Sequence, residues 1–513
     1  MDKMTLAGEF LEHLTTDLIP FWSRLEDKEY GGFYGLVDEM GRVDKKAVKG
    51  CILNSRILWF FTNCSMLFNE LADKDMIPAV KDDKRDPEER KAGYRQLADE
   101  CLKKAGHAYR FLTEHCLDRE YGGVYWMVGY DGAPADTLKH TYNQAFAIYS
   151  LSSYFDATGN REAFDLAMEI ADILEERCTD DVGYVEAFNR DFTPARNDEL
   201  SENGVIADKT MNTLLHVYES YSELLRVAKK HFPVVGEGAV YAKDARAQEK
   251  KGYHPENAEL AAKLSNRIKF ILEIFTEKIY NPKLVRQEVF FDARYNPLID
   301  LHSYGHDIES AWLIDRGLEI LADVSLTAEI EPVTLSLAER VYMKAYRDHS
   351  LMNECENGRN DTTRVWWVQA EAIVGFMHSS RKYERRAARV LEAMRAAGAS
   401  AAERHSTQVE AEKMSSRLFA AAVDIWECVK EKFLICNNPG TPDADRAPEN
   451  TQEQEMGAEA GLRFDRHKHP TEWYENLDDK LNPEPGMNIV RPWKCPYHNG
   501  RMCIEMVRRL TGI

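Results

Sequence analysis

The sequence predicts an all-α fold, an (α/α)6 barrel with short β-hairpin loops on one side. Three observations carry this: a loop phrase that recurs six times, room for two amphipathic helices between recurrences, and polar or aromatic residues at the start of the helix after each loop. The clearest copies of the phrase are Glu29-Tyr30-Gly31-Gly32-Phe33-Tyr34-Gly35, closing on Asp38 to Gly41, and Asp118-Arg119-Glu120-Tyr121-Gly122-Gly123-Val124-Tyr125, closing on Asp131-Gly132. Each reads as a short strand, a turn and a return. Looser copies follow at Gly183 to Asp191, Val289 to Pro297, Met352 to Gly358 and Glu472 to Pro483.

A helical pattern from Leu6 to Trp22 precedes the first loop. Helix pairs are then expected at 48–71 and 92–116, 139–158 and 160–178, 208–229 and 257–279, and 305–322 and 325–348. Such pairs cannot bury their apolar faces singly, so they should stack and close into an inner and an outer ring. Residues 1–513 are expected to form one catalytic domain, with solvated insertions near 73–91, 229–256, 381–412 and 437–460. The stretch 381–398 can extend a helix.

Composition bounds the function. Hydrophobic residues at 44% and charged residues at 30% describe a globular chain with a large core. A formal charge of -20 argues against nucleic acid or an anionic membrane as partner. No stretch approaches the roughly 20 apolar residues of a membrane span. The ten cysteines are scattered without zinc spacing, and the N-terminus lacks a signal pattern, so a cytoplasmic protein with reduced thiols is expected. A monomer acting on a neutral small molecule fits these features.

The candidate site residues open the inner helices. Arg56 sits among large apolar neighbours, and a buried arginine is paired or faces a ligand. Tyr142 follows the second loop, and Asn212 and His216 lie i,i+4 on one face after the third. In Ser303-Tyr304-Gly305-His306-Asp307-Ile308-Glu309-Ser310-Ala311-Trp312, His306 and Glu309 are i,i+3 neighbours, so the carboxylate is expected to hold the imidazole in one tautomer. Trp366, Trp367 and Glu371 follow the fifth loop, and Trp493 and His498 the sixth.

In a closed ring these sets converge on one cavity. Its three histidines suit proton transfer at neutral pH, and tryptophan faces stack on pyranose rings while polar groups take the hydroxyls. A carbohydrate is the expected ligand. The His and Glu positions are also conceivable metal ligands, but no His-Glu-x-x-His pair is present and no metal or other cofactor is expected.

The segments Leu53-Asn54-Ser55-Arg56-Ile57-Leu58-Trp59-Phe60, Lys209-Thr210-Met211-Asn212-Thr213, Ser303 to Ser310, Trp366-Trp367-Val368-Gln369-Ala370-Glu371-Ala372 and Trp493-Lys494-Cys495-Pro496-Tyr497-His498-Asn499 resemble the cellobiose 2-epimerase family of the N-acylglucosamine 2-epimerase superfamily. The resemblance runs nearly the whole length apart from the insertions. It implies an (α/α)6 barrel and epimerisation at C2 of the reducing-end sugar of β-1,4-linked disaccharides through an enediolate, without redox cofactor or metal. By matching motifs, His306 and His498 would be the acid/base pair and His216 would assist ring opening. Arg56 would stabilise the enediolate, Glu309 and Glu371 would orient histidines or hold hydroxyls, Tyr142 would assist at sugar oxygens, and the tryptophans would grip the disaccharide. Leu214 departs from relatives that carry a further histidine there. The alternatives are an aldose-ketose isomerase, a glycoside hydrolase using Glu309 and Glu371, and a non-catalytic sugar-binding protein.

Overall fold

The computed structural model describes residues 2–78, 80, 85–195, 203–233, 255–435 and 471–513. Helices α1 (Lys3–His13) and α2 (Ile19–Arg24) lead into five pairs: α3 (Cys51–Asp73) and α4 (Pro87–Phe111), α5 (Thr141–Thr158) and α6 (Arg161–Arg177), α7 (Met211–His231) and α8 (Pro255–Ile274), α9 (Tyr304–Leu321) and α10 (Val324–Ala345), α11 (Trp366–Ala396) and α12 (Ala401–Cys428). Helix α13 (His498–Thr511) ends the chain and pairs with α1.

Neighbour packing closes the ring. Helices α3, α5, α7, α9, α11 and α13 pack in that order, and α13 returns to α3. The first helix of each pair is almost wholly buried, α11 as far as Lys382, whereas its partner buries a single stripe, as inner and outer rings require. This is the (α/α)6 barrel read from the loop repeat, and the predicted helix bounds fall within a few residues of the observed ones.

Each inner helix is entered from a short strand stapled to the next repeat. Lys49–Gly50 pairs antiparallel with Met127–Val128, Lys139–His140 with Ala187–Phe188, and Lys209–Thr210 with Phe290–Phe291. Leu301–Ser303 pairs with Glu354–Glu356, Arg364–Val365 with Asn476–Leu477, and the Val37–Val490 bridge joins last to first. A hydrogen-bonded collar therefore fixes one end of the barrel, the end at which the inner helices begin.

Buried lysines tie the collar to the loops. Lys49 lies 2.6 Å from Asp27, Lys139 3.1 Å from Asp118, and Lys209 2.6 Å from Asp180, each pairing an entry strand with the first residue of a hairpin turn. Polar residues at the helix starts do similar work: Asn54 accepts from the Phe33 amide, Gln144 bonds both backbone groups of Val124, and Gln369 those of Leu351. Not every polar residue that opens an inner helix faces the cavity, then. Some satisfy the hairpin backbone, which would otherwise be buried unpaired. Gly123, at φ +69°, shows why the loop phrase needs glycine, because a Cβ there would meet Gln144 Oε1 at 2.6 Å.

The proposed insertions fall out differently. The 381–412 stretch is largely helical: α11 runs on to Ala396, and α12 starts at Ala401 behind a Ser400/Glu403 capping box. The segment 437–460, most of 229–256 and part of 73–91 lie outside the described residues. Among the described residues, no helix is long and apolar enough to cross a membrane.

Candidate active site

A cavity of about 500 Å³ opens at the collared end of the barrel. Ten of the twelve residues singled out from the sequence line it: Arg56, Tyr142, Asn212, His216, His306, Glu309, Trp366, Trp367, Trp493 and His498. Glu371 and Trp312 lie behind the wall, buried, with the Trp312 Nε1 donating to Glu371 Oε2 at 3.0 Å. Trp312 is thus a correction: packed in the wall beneath the Arg501 guanidinium, its indole offers no face to a sugar.

The three imidazoles are held in three ways. His498 Nδ1 lies 2.8 Å from Glu371 Oε1, and His216 Nδ1 lies 2.8 Å from Glu219 Oε2. His306 corrects a second expectation, because Nδ1 lies 2.7 Å from Ser303 Oγ rather than on Glu309. Being three apart on a helix brings two residues to one face without making them a pair. The Trp367 ring contacts both His306 and His498, at centroid separations of 4.9 and 5.6 Å.

Burial keeps these imidazoles neutral. It pushes His306 down to about 3, with His216 adding to the effect, and it lowers His216 as well. His498 is held well below the usual histidine range by burial and by the Arg501 and Arg56 guanidiniums. At neutral pH each is an imidazole able to accept a proton.

The carboxylates converge on Arg501. Its Nη1 donates to Glu219 Oε1 at 2.7 Å, and its Nη2 to Glu309 Oε1 at 2.5 Å and Glu371 Oε1 at 2.6 Å. Burial raises both Glu309 and Glu371, and Glu371 adds to the rise at Glu309, while the Arg501 guanidinium pulls both down. Burial would raise Glu219 too, yet Arg501 and His216 hold it ionised well below the carboxylate range. Glu309, Glu371 and His498 also form a group whose donor atoms lie within 4.8 Å of one another. Arg501 bonds both of those carboxylates.

Arg56 is positioned for an oxygen ligand. It donates to the Tyr142 hydroxyl and to the Trp493 carbonyl at 3.3 Å, and its guanidinium lies 4.1 Å from the Phe146 ring centroid. Burial lifts Tyr142 to about 12, so the phenol keeps its proton and, accepting from Arg56, can donate it into the cavity. Arg501, Glu219, Tyr497 and Ser303 were missed from the sequence. The i,i+3 rule applied to His216 points to Glu219, and applied to His498 it points to Arg501. Applied backwards from His306, the same spacing points to Ser303.

Comparisons with known proteins place the chain in a family. The model for N-acylglucosamine 2-epimerase (GlcNAc 2-epimerase) matches residues 91–202. A cellobiose 2-epimerase from Eubacterium cellulosolvens is 36% identical over 499 residues, covering 97% of each chain. The chain belongs to the cellobiose 2-epimerase family. One from Ruminococcus albus is 35% identical over 99% of this chain and 100% of the relative. The solved cellobiose 2-epimerase of Bacillus thermoamylovorans B4167 superposes with a TM-score of 0.70 at 32% identity, covering 98% of this chain and 99% of that one. Membership makes the protein an isomerase, a carbohydrate epimerase.

Proposed function

We propose that this enzyme epimerises C2 of the reducing-end sugar of β-1,4-linked disaccharides, cellobiose first, with lactose and mannobiose as further candidates. The observation that carries the reading is the pair His306 and His498, two neutral imidazoles in contact with one indole, that of Trp367. With the sugar opened to its aldehyde, one imidazole takes the C2 proton, and the electron pair moves onto the carbonyl oxygen to give the enediolate. The other imidazole, having taken a proton from solvent, returns it to C2 on the opposite face while the pair moves back, and the first gives the abstracted proton to solvent, so both end neutral. Arg56 and the Tyr142 hydroxyl supply donors for the enediolate oxygens, fixed before charge develops. His216, backed by Glu219, serves ring opening and closure, and Asn212, Trp366, Trp367 and Trp493 hold the sugar.

Glu309 and Glu371 bond the same Arg501 nitrogen, which favours a supporting role over hydrolysis, where two carboxyls must flank a glycosidic oxygen. The free thiols of Cys51 and Cys64 support a cytoplasmic place. Incubation with cellobiose followed by product chromatography tests the reading. Glucosyl-mannose is expected. A fructose-type product means isomerisation, free glucose means hydrolysis, and no turnover of cellobiose, lactose or mannobiose rejects the proposal.

A further inference from the structure

We infer that Arg501 is the positioning residue of the site, a guanidinium that holds His216 and His498 in register through the carboxylates to which their Nδ1 atoms are bonded. The inference rests on the epimerase reading above. One arm of the fork reaches Glu219, whose other oxygen holds His216, and the other reaches Glu371, which holds His498. The guanidinium is planar, so the two carboxylates stand at a separation set by covalent geometry. Tyr497 adds a further link, its hydroxyl bonding both Arg501 and Glu219.

Arg501 itself is locked. It is 1% exposed and lies between the Tyr497 and Trp312 rings, 4.3 and 4.8 Å from their centroids. It is not part of the cavity wall, so it acts only through the groups it holds. Three buried carboxyls around one cation cannot all stay ionised. The cation keeps Glu219 and Glu371 as acceptors, which keeps the proton of each imidazole on Nδ1 and leaves Nε2 as the free nitrogen.

The groups that face His498 are Glu371 from α11, Glu309 from α9, Glu219 and His216 from α7, Arg56 from α3 and Arg501 from its own helix. Arg501 is the larger cationic influence among them. Its removal therefore raises the pH at which His498 takes up a proton.

The test uses Arg501→Lys and Arg501→Met in the full chain beside the wild type. Lysine keeps the charge but, as a point donor on a flexible stem, cannot hold the carboxylates at the fixed separation of a planar fork, so kcat with cellobiose should fall on the order of 10²-fold with KM within about threefold. Methionine should add an upward move of the acid limb of kcat/KM. If methionine prevents folding, judged by circular dichroism, NMR of the histidine side chains in the lysine variant reads the same point, with the Nδ1–H signal of His498 expected to weaken. Wild-type kcat and an unmoved limb overturn the inference. So does a loss that tracks melting temperature with the limb and the tautomer unchanged, since that marks a structural part only. An inactive wild type rejects the epimerase reading instead, while the imidazole NMR comparison still decides the role of Arg501.

Discussion

His498 Nδ1 lies 2.8 Å from Glu371 Oε1, so the nitrogen left for the cavity is Nε2. Glu371 acts on the imidazole from behind the wall, whereas Glu309 lines the cavity with its Oε1 on Arg501 and its carboxylate 4.0 Å from His498 Nδ1. Glutamine should therefore affect the two positions unequally. Glu371→Gln removes the charge that favours the Nδ1–H tautomer, and kcat should drop on the order of 10²-fold at little cost in KM. Glu309→Gln disturbs no carboxylate bonded to a histidine and should lose less than about tenfold. Steady-state kinetics on cellobiose checks both, and the opposite order would reject these roles.

The pH profile follows from burial. His306 is pushed down to about 3 and His498 is also lowered, so both are bases at pH 7 and remain so well below the usual histidine value of about 6.5. Activity should be full near neutrality and fall only as pH drops through the lowered values. The acid limb of kcat/KM is expected below 6, and a limb at 6.5 or above would contradict the buried, neutral pair.

Gly305 allows the close approach of Trp367, the ring shared by the two histidines. A Cβ at Gly305 would meet that indole at 2.6 Å and the Val368 side chain at 2.7 Å. Gly305→Ala should displace Trp367, cutting kcat/KM by about tenfold or more while the helical circular dichroism is retained. Unchanged kinetics would mean that the ring does not set the geometry.

Trp312 should behave as wall rather than as sugar platform. Trp312→Phe leaves Glu371 Oε2 without its donor, which costs about 1–3 kcal/mol of stability. Melting and kcat should fall while KM holds, whereas Trp367→Ala should raise KM. A raised KM in Trp312→Phe would return it to the sugar site.

The barrel was legible because its repeat is local. The phrase at Glu29 and at Asp118 recurs with helical spacing between, and closure follows from the inability of a helix pair to bury itself. Ten of the residues that line the cavity were legible for the same reason, each lying at or just before the start of an inner helix at one end of the ring. What stayed hidden depends on distances across the ring. Arg501 meets Glu219, Glu309 and Glu371 from three other helices, and Trp312 faces the wall instead of the cavity through a rotation that helical spacing alone does not specify. The lysines at 49, 139 and 209 repeat in step with the loops, a signal that was present and passed over.

The most direct measurement of the central claim is NMR of cellobiose incubated in D2O with wild-type enzyme and with His306→Asn and His498→Asn. Exchange through two imidazoles predicts glucosyl-mannose carrying deuterium at C2 in the wild type, with rates lower by roughly 10²- to 10⁴-fold in each variant. Epimer formed without deuterium at C2, or at the wild-type rate in either variant, would contradict it.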